Sequence, residues 1–429
     1  MVRRVLGLRS ATAAVVASMV GTGAFVTTGE IAAGLAGPGQ VLLVWLLGGL
    51  LAALGALAYG ALGRRFPESG GEALFLARCW HPALGCMAGW VSLLTGFSAP
   101  LALAAWAFGA FLLEALPWGG DPRPFASLLI LAAALAHASG VRLGAAVQDG
   151  AVFLKLLLLL FFLGAGLLAP PAPGTGSLLA GLGGGPGGLP LALVQVSFAW
   201  SGWNAAVYIA SEVRDPERTL PRSLLLGCGL VAVLYLALQA VFLRQVPLAE
   251  ASGDLVLART AALRAGGETL AGLLTLLLLL ALATTVSAMT MLGPRVYGRM
   301  AEDGFLPAIL RPPAAGPPRA GIVLQAVLAL GLLWSGTFGG LLTYTGFTLG
   351  LSAAVTVLGL LRLRRREGPE RVPLPGGPLP AALFALSVVV LSALSIRDRP
   401  EATLYGLATL AFGLLVWRVA PGPRNRPLP

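Results

Sequence analysis

The feature that most constrains this sequence is a succession of apolar blocks about 20 residues long, separated by short stretches rich in arginine, glycine and proline. An α-helix rises about 1.5 Å per residue, so ~20 residues cover a hydrocarbon core of roughly 30 Å. Twelve blocks can be drawn, at 11–33, 40–63, 83–116, 124–140, 143–168, 190–211, 223–245, 269–298, 320–336, 339–361, 378–396 and 402–419. Only 11% of the 429 residues are charged, against roughly a quarter in soluble domains. A cytosolic globular enzyme is thereby excluded. The strands of an outer-membrane barrel alternate every second residue, whereas these blocks run continuously apolar. The expected fold class is all-α integral membrane, with twelve transmembrane helices.

The net charge of +11 does not indicate nucleic acid, because 28 of the 29 basic residues are arginines placed almost entirely between the apolar blocks. With twelve spans both termini share one side, and that side carries 22 arginines against six on the other (Arg123, Arg244, Arg259, Arg264, Arg397 and Arg399). The positive-inside rule makes it the cytoplasmic side of the cell membrane. Arg3-Arg4 ahead of an apolar stretch has the look of a secretion signal. That stretch leads directly into further apolar blocks, so it reads as the first span. The 246–268 connection has mixed charge and helical spacing and is expected on the membrane surface. Cys79, Cys86 and Cys228 have no paired spacing, and His81 and His137 read as interfacial. No metal, cofactor or enzymatic cluster is implied.

Spans one and six are both interrupted near their middles, at Val20-Gly21-Thr22-Gly23 and at Phe198-Ala199-Trp200-Ser201-Gly202-Trp203-Asn204. Gly21 and Gly23 are two apart and face different sides, which suits unwinding better than a packing stripe. Interrupted helices five spans apart point to an inverted repeat with a binding site at the midplane. A break frees N–H groups at one new end and carbonyls at the other. In a bilayer such groups persist only where they line a cavity or meet a ligand. Freed amides suit a carboxylate and freed carbonyls an ammonium, so a zwitterion uses both. Glu30, Glu114 and Asp149 all lie near span ends. With no acidic group expected at the midplane, the substrate side chain is expected to be neutral.

Lys155, the only lysine, lies roughly 18 Å along its helix from the ends of its span. An ionisable group at that depth costs about 2.5–3.5 kcal/mol on insertion scales and is a functional candidate. Asp149, six residues earlier, is about 240° round the helix and does not share its face. The expected acceptors are the carbonyls near Val20 and Gly21 and a hydroxyl among Thr284, Thr285 and Ser287; the alternative for those hydroxyls is back-bonding within their own helix. Burial and acceptors act oppositely on a lysine proton, which gives a route for coupling transport to protons. Trp200 and Trp203 sit mid-span as candidate gates or as core packing, and Asn204 is a buried amide in need of partners.

These residues resemble the amino acid–polyamine–organocation superfamily, in particular the L-type amino acid transporter branch and its bacterial relatives. The resemblance is carried by Gly21-Thr22-Gly23-Ala24-Phe25, by Phe66-Pro67-Glu68-Ser69-Gly70-Gly71-Glu72, by Val147-Gln148-Asp149 with Lys155, by Phe198–Asn204 running into Glu212–Arg222, and by Arg295–Pro307. It implies a LeuT-like five-plus-five inverted repeat with discontinuous helices 1 and 6. The corresponding division is a tail at 1–10, a first repeat at 11–168, an outer loop at 169–189 and a second repeat at 190–361. A cytoplasmic linker at 362–377, two further helices at 378–419 and a tail at 420–429 complete it. It further implies that amides around Gly21–Gly23 hold a substrate carboxylate, and that carbonyls of Phe198, Ala199 and Ser201, beside Gly202, hold its ammonium. By the same resemblance Lys155 takes the place of a sodium ion with Thr285 as its partner, and Tyr235 braces span one. Trp200, Ser211 and Ala73 depart from the residues usual at those positions. Animal members carry a cysteine between spans three and four for a disulfide-linked glycoprotein; Pro117–Pro124 has none, so no such heavy chain is expected.

The expected function is alternating-access transport of small neutral L-amino acids, either proton-coupled or by exchange. The alternatives are a polyamine or organic-cation carrier of the same fold, which calls for acidic side chains at the site, and a channel, which calls for a polar stripe lining a pore.

Overall fold

The computed structural model describes residues 4–21, 23–116, 119–185, 187–251, 257–313, 316–335, 338–398 and 400–419. Helices dominate, and the one β-type pairing among these residues is an isolated parallel bridge between Leu6 and Val213. The first apolar block forms two helices, α1 (Leu8–Met19) and α2 (Gly23–Ala33). The second forms α3 (Pro38–Arg65), entered through a proline in its first turn, where the missing N–H costs nothing. A short α4 (Gly71–Cys79) then turns back against the bundle. The third block forms α5 (Pro82–Val91), a π-helical segment (Ser92–Ser98) and α6 (Ala99–Ala115). Next come α7 (Arg123–Ser139) and α8 (Val141–Leu168).

The sixth block is broken like the first, into α9 (Leu189–Ala199) and a 3-10 helix (Ala205–Glu212). It is followed by α10 (Pro216–Gln245) and the short α11 (Leu248–Ala251). Then α12 (Leu257–Glu302) bends at Gly266 and Gly267, so part of the 246–268 connection is itself helical. The remaining helices are α13 (Arg319–Ser335), α14 (Phe338–Glu367), α15 (Leu379–Asp398) and α16 (Pro400–Val419). Among the described residues, five continuous helical segments are long and apolar enough to cross a membrane: Pro38–Arg65, Pro82–Ala115, Val141–Leu168, Pro216–Gln245 and Leu257–Glu302.

The packing that matters for the site is between the two broken helices. The α1 helix runs beside the 3-10 segment Ala205–Glu212, and α2 runs beside α9. The breaks therefore lie antiparallel and face each other. A methyl group at Gly23 would stand 3.0 Å from the Ala199 Cα, and one at Gly202 would stand 2.7 Å from the Ser18 carbonyl oxygen. Glycine is needed at 202 for a second reason, its φ of +92°. The helices α8, α10 and α12 flank α1, and α3 lies along α10.

At the far end of the 3-10 segment, Glu212 and Arg295 form a two-point ion pair at 3.0 Å on each arm, with both side chains buried. Beside it, Ser69 and Ser211 exchange backbone-to-hydroxyl bonds of 2.8 and 3.0 Å. Leu6 also bonds through its backbone to Glu212 and Arg214. The three cysteines are buried and free. Two sequence expectations need correction. His137 is not interfacial: it is buried, with Nε2 2.8 Å from the Ser287 hydroxyl, because α7 packs against α12. And a carboxylate does lie beside the break in span six, at Glu72, which α4 carries inward.

Candidate functional site

Ending α1 at Met19 leaves its last carbonyls without intrahelical donors, and side chains from two other helices meet them. Tyr235 on α10 donates its hydroxyl to the Met19 carbonyl at 2.6 Å and lies 3.3 Å from the Ala199 carbonyl at the end of α9. Lys155 on α8 donates to the Val20 carbonyl at 2.9 Å and to the Thr284 hydroxyl on α12 at 2.9 Å. Lys155 is wholly buried, and Asp149 instead accepts from Ser10 at 2.5 Å. Two helical turns before Lys155, Gln148 donates to the Thr284 backbone carbonyl at 3.2 Å, so α8 holds Thr284 through both its backbone and its hydroxyl.

Among the hydroxyls expected around the ammonium, Thr284 touches it. Thr285 lies instead 3.0 Å from the Ala281 carbonyl and 3.4 Å from the Ala17 carbonyl, and it faces Gly21. Ser287 is taken by His137. Thr284 also bonds back to Ala281 at 2.8 Å, so back-bonding and the lysine contact coexist. Thr22 lies outside the described residues. The amides that begin α2, from Gly23 onward, are the helix-start donors that have no intrahelical acceptor.

In the second break, Ser201 N–H bonds to the Phe198 carbonyl at 3.1 Å, and Ala205 N–H to the Gly202 carbonyl at 3.1 Å. Phe198 and Ser201 are exposed and Gly202 is half-buried, while Ala199 and Trp200 are buried. Trp200 packs edge-on to Tyr235 at 5.1 Å and beside Trp45 at 6.5 Å, directly over Gly48 and Gly49. Trp203 packs on Tyr59 at 4.8 Å and Phe384 at 5.4 Å. Sequence reasoning passed over the partners of Asn204. Its amide nitrogen donates to Glu72 at 2.7 Å and to the Tyr208 hydroxyl at 2.9 Å. Glu72 also accepts from Tyr208 at 2.6 Å and from Tyr59 at 2.8 Å.

Among the described residues no group of three or more side chains that could hold a metal ion occurs. The arrangement offers peptide N–H and C=O groups at two facing breaks, plus one cation held against the first. Comparison with known proteins gives that geometry its family. Residues 6–416 match the family described as Amino acid permease. The human large neutral amino acids transporter small subunit 2 is 26% identical, over 97% of this chain and 80% of its own length. The human Asc-type amino acid transporter 1 is 26% identical, over 99% and 84%. The mouse b(0,+)-type amino acid transporter 1 is 25% identical, over 96% and 87%. These relatives are transporters rather than enzymes, and this chain, with its first and sixth apolar blocks each broken, belongs to the amino acid permease family.

Proposed function

We propose that this protein carries neutral L-amino acids across the cell membrane by alternating access. It would use twelve spans in a five-plus-five inverted repeat (11–168 and 190–361), with helices 378–419 appended and both termini cytoplasmic. The observation that carries this reading is the antiparallel meeting of the two breaks. The amide end of α2 stands beside the carbonyl end of α9, which is the pair of charges a zwitterion needs. The substrate carboxylate is assigned to the amides of Gly21, Thr22 and Gly23, and the ammonium to the carbonyls of Phe198, Ala199 and Ser201. Trp200 and Trp203 are assigned to gating. Names of relatives such as large neutral amino acids transporter support an uncharged side chain.

Lys155 is assigned the coupling role. Its ammonium ties Val20, at the first break, to Thr284 on α12, so separating α1 from α12 must break at least one of those bonds. Proteoliposome uptake tests the proposal, with and without internal amino acid and with and without a pH gradient, for the wild type and Lys155→Ala. Saturable uptake of neutral amino acids is expected. Stimulation by internal amino acid alone identifies exchange, and stimulation by an inward proton gradient identifies symport. Uptake restricted to polyamines overturns the substrate assignment.

A further inference from the structure

We propose that Glu72 is a positioning residue that holds Asn204 with its amide oxygen toward the substrate, so that the site favours amino acids whose side chain carries a hydrogen-bond donor. The inference rests on the substrate site proposed above and specifies its substrate class.

Asn204 is the last residue of the second break and occupies the N-cap position of the Ala205–Glu212 segment. An asparagine there ordinarily turns its oxygen back to the first N–H groups of the helix. Here it makes no such bond. Its nitrogen is committed instead, one hydrogen to a Glu72 carboxylate oxygen and the other to the Tyr208 hydroxyl oxygen. Both hydrogen bonds of the side chain among the described residues are made by this nitrogen, which leaves the amide oxygen free, and the residue is only half-buried. It lies three residues from Ser201, whose carbonyl is assigned to the substrate ammonium.

The carboxylate at 72 is what sets this orientation. A carboxylate only accepts hydrogen bonds, so every neighbour must present a donor to it. Tyr59 and Tyr208 each give their single hydroxyl proton to Glu72. Tyr208 is thereby left as an acceptor on its other side, which again demands the nitrogen of Asn204. Both contacts of the amide select the same rotamer. A glutamine at 72 carries a donor as well as an acceptor, and a hydroxyl proton is then no longer forced in one direction. The amide of Asn204 becomes free to turn over.

A fixed, unpartnered acceptor rewards a substrate that brings a proton and penalises an isostere that brings a methyl group, because the acceptor is then desolvated without a partner. The probes are threonine against valine, which differ by a hydroxyl in place of a methyl, and serine against alanine. They are measured as competitors of labelled uptake in proteoliposomes of the full-length protein. The wild type is expected to bind threonine about two- to tenfold more tightly than valine, the worth of one hydrogen bond. Glu72→Gln is expected to bring that ratio toward one while the valine constant stays near its wild-type value, a split that general damage to the fold does not produce. Tyr59→Phe removes a donor to Glu72 but no acceptor of Asn204, and is expected to keep the preference. Should Glu72→Gln fail to fold, Asn204→Leu carries the test and is expected to abolish the preference. Equal competition by threonine and valine in the wild type overturns this inference alone, as does an unchanged ratio in Glu72→Gln or in Asn204→Leu. Absence of competition by any neutral amino acid overturns the substrate site and this inference with it.

Discussion

The Tyr235 hydroxyl stands 2.6 Å from the Met19 carbonyl, and the same oxygen is 3.3 Å from the Ala199 carbonyl. One side chain on α10 thus touches the ends of both half-helices, α1 and α9, at the two breaks. A helix ended inside a bilayer must find donors for its last carbonyls. Tyr235→Phe keeps the ring against Trp45 and Trp200 and removes only that donor. We expect a loss of about 1 kcal/mol in stability, read as a lower melting temperature in detergent, together with reduced uptake.

Lys155 is a sharper case because its ammonium is wholly buried. Lys155→Ala leaves the Val20 carbonyl and the Thr284 hydroxyl without their donor. We expect uptake to fall by at least about tenfold, the cost of one charge-assisted bond at its lower bound. Lys155→Arg should not rescue it, since a planar fork does not replace a compact ammonium with three donors. Proteoliposome uptake by monodisperse protein decides it, and wild-type transport by Lys155→Ala would remove the coupling role.

Close approach of the breaks predicts intolerance of a single methyl group. Gly202→Ala places Cβ 2.7 Å from the Ser18 carbonyl oxygen at a φ of +92°, and the backbone term alone is roughly 1–2 kcal/mol. Gly229→Ala, in α10 with open space around it, is the matched control and should be neutral. Thermal unfolding followed by fluorescence-detected size exclusion separates the two.

The buried Glu212–Arg295 pair should behave asymmetrically under mutation. Removing either partner strands a charge and costs about 3–5 kcal/mol, whereas replacing both with apolar residues costs far less. A double-mutant cycle on melting temperature measures this, and equal losses in the single and double variants would contradict it.

Thiol chemistry supplies a check on packing around α4. Burial pushes the Cys79 thiol up to about 12, so little thiolate exists near neutrality. With Cys86 and Cys228 also buried, the native protein should resist maleimide under conditions that label an introduced surface cysteine. Rapid labelling of Cys79 would show that α4 is not held as described.

Helix content and the positions of both interruptions were legible in the sequence because hydropathy, glycine and mid-block polarity are local properties. Lys155 was legible for the same reason, as the single lysine in an apolar run, and so was its partner at Val20, because the break leaves only a few free carbonyls. The choice of Thr284 over Thr285 was not. Adjacent helical residues point about 100° apart, and which of them faces α8 depends on the rotation of α12 in the bundle. Asp149 and Ser287 likewise found partners, Ser10 and His137, that lie far away in sequence.

By itself the sequence determined a membrane-spanning helical chain with two interrupted spans, since a run of apolar side chains admits no other solution in lipid. Only the tertiary structure decided that Glu72 lies inside. Phe66–Glu72 lies between two apolar blocks, and the carboxylate becomes interior when α4 folds back and three donors from α3 and from the second broken helix close around it. The physical reason is that a single polar side chain has no periodicity to announce its environment. Whether it is solvated or enclosed is settled by which helices pack beside it.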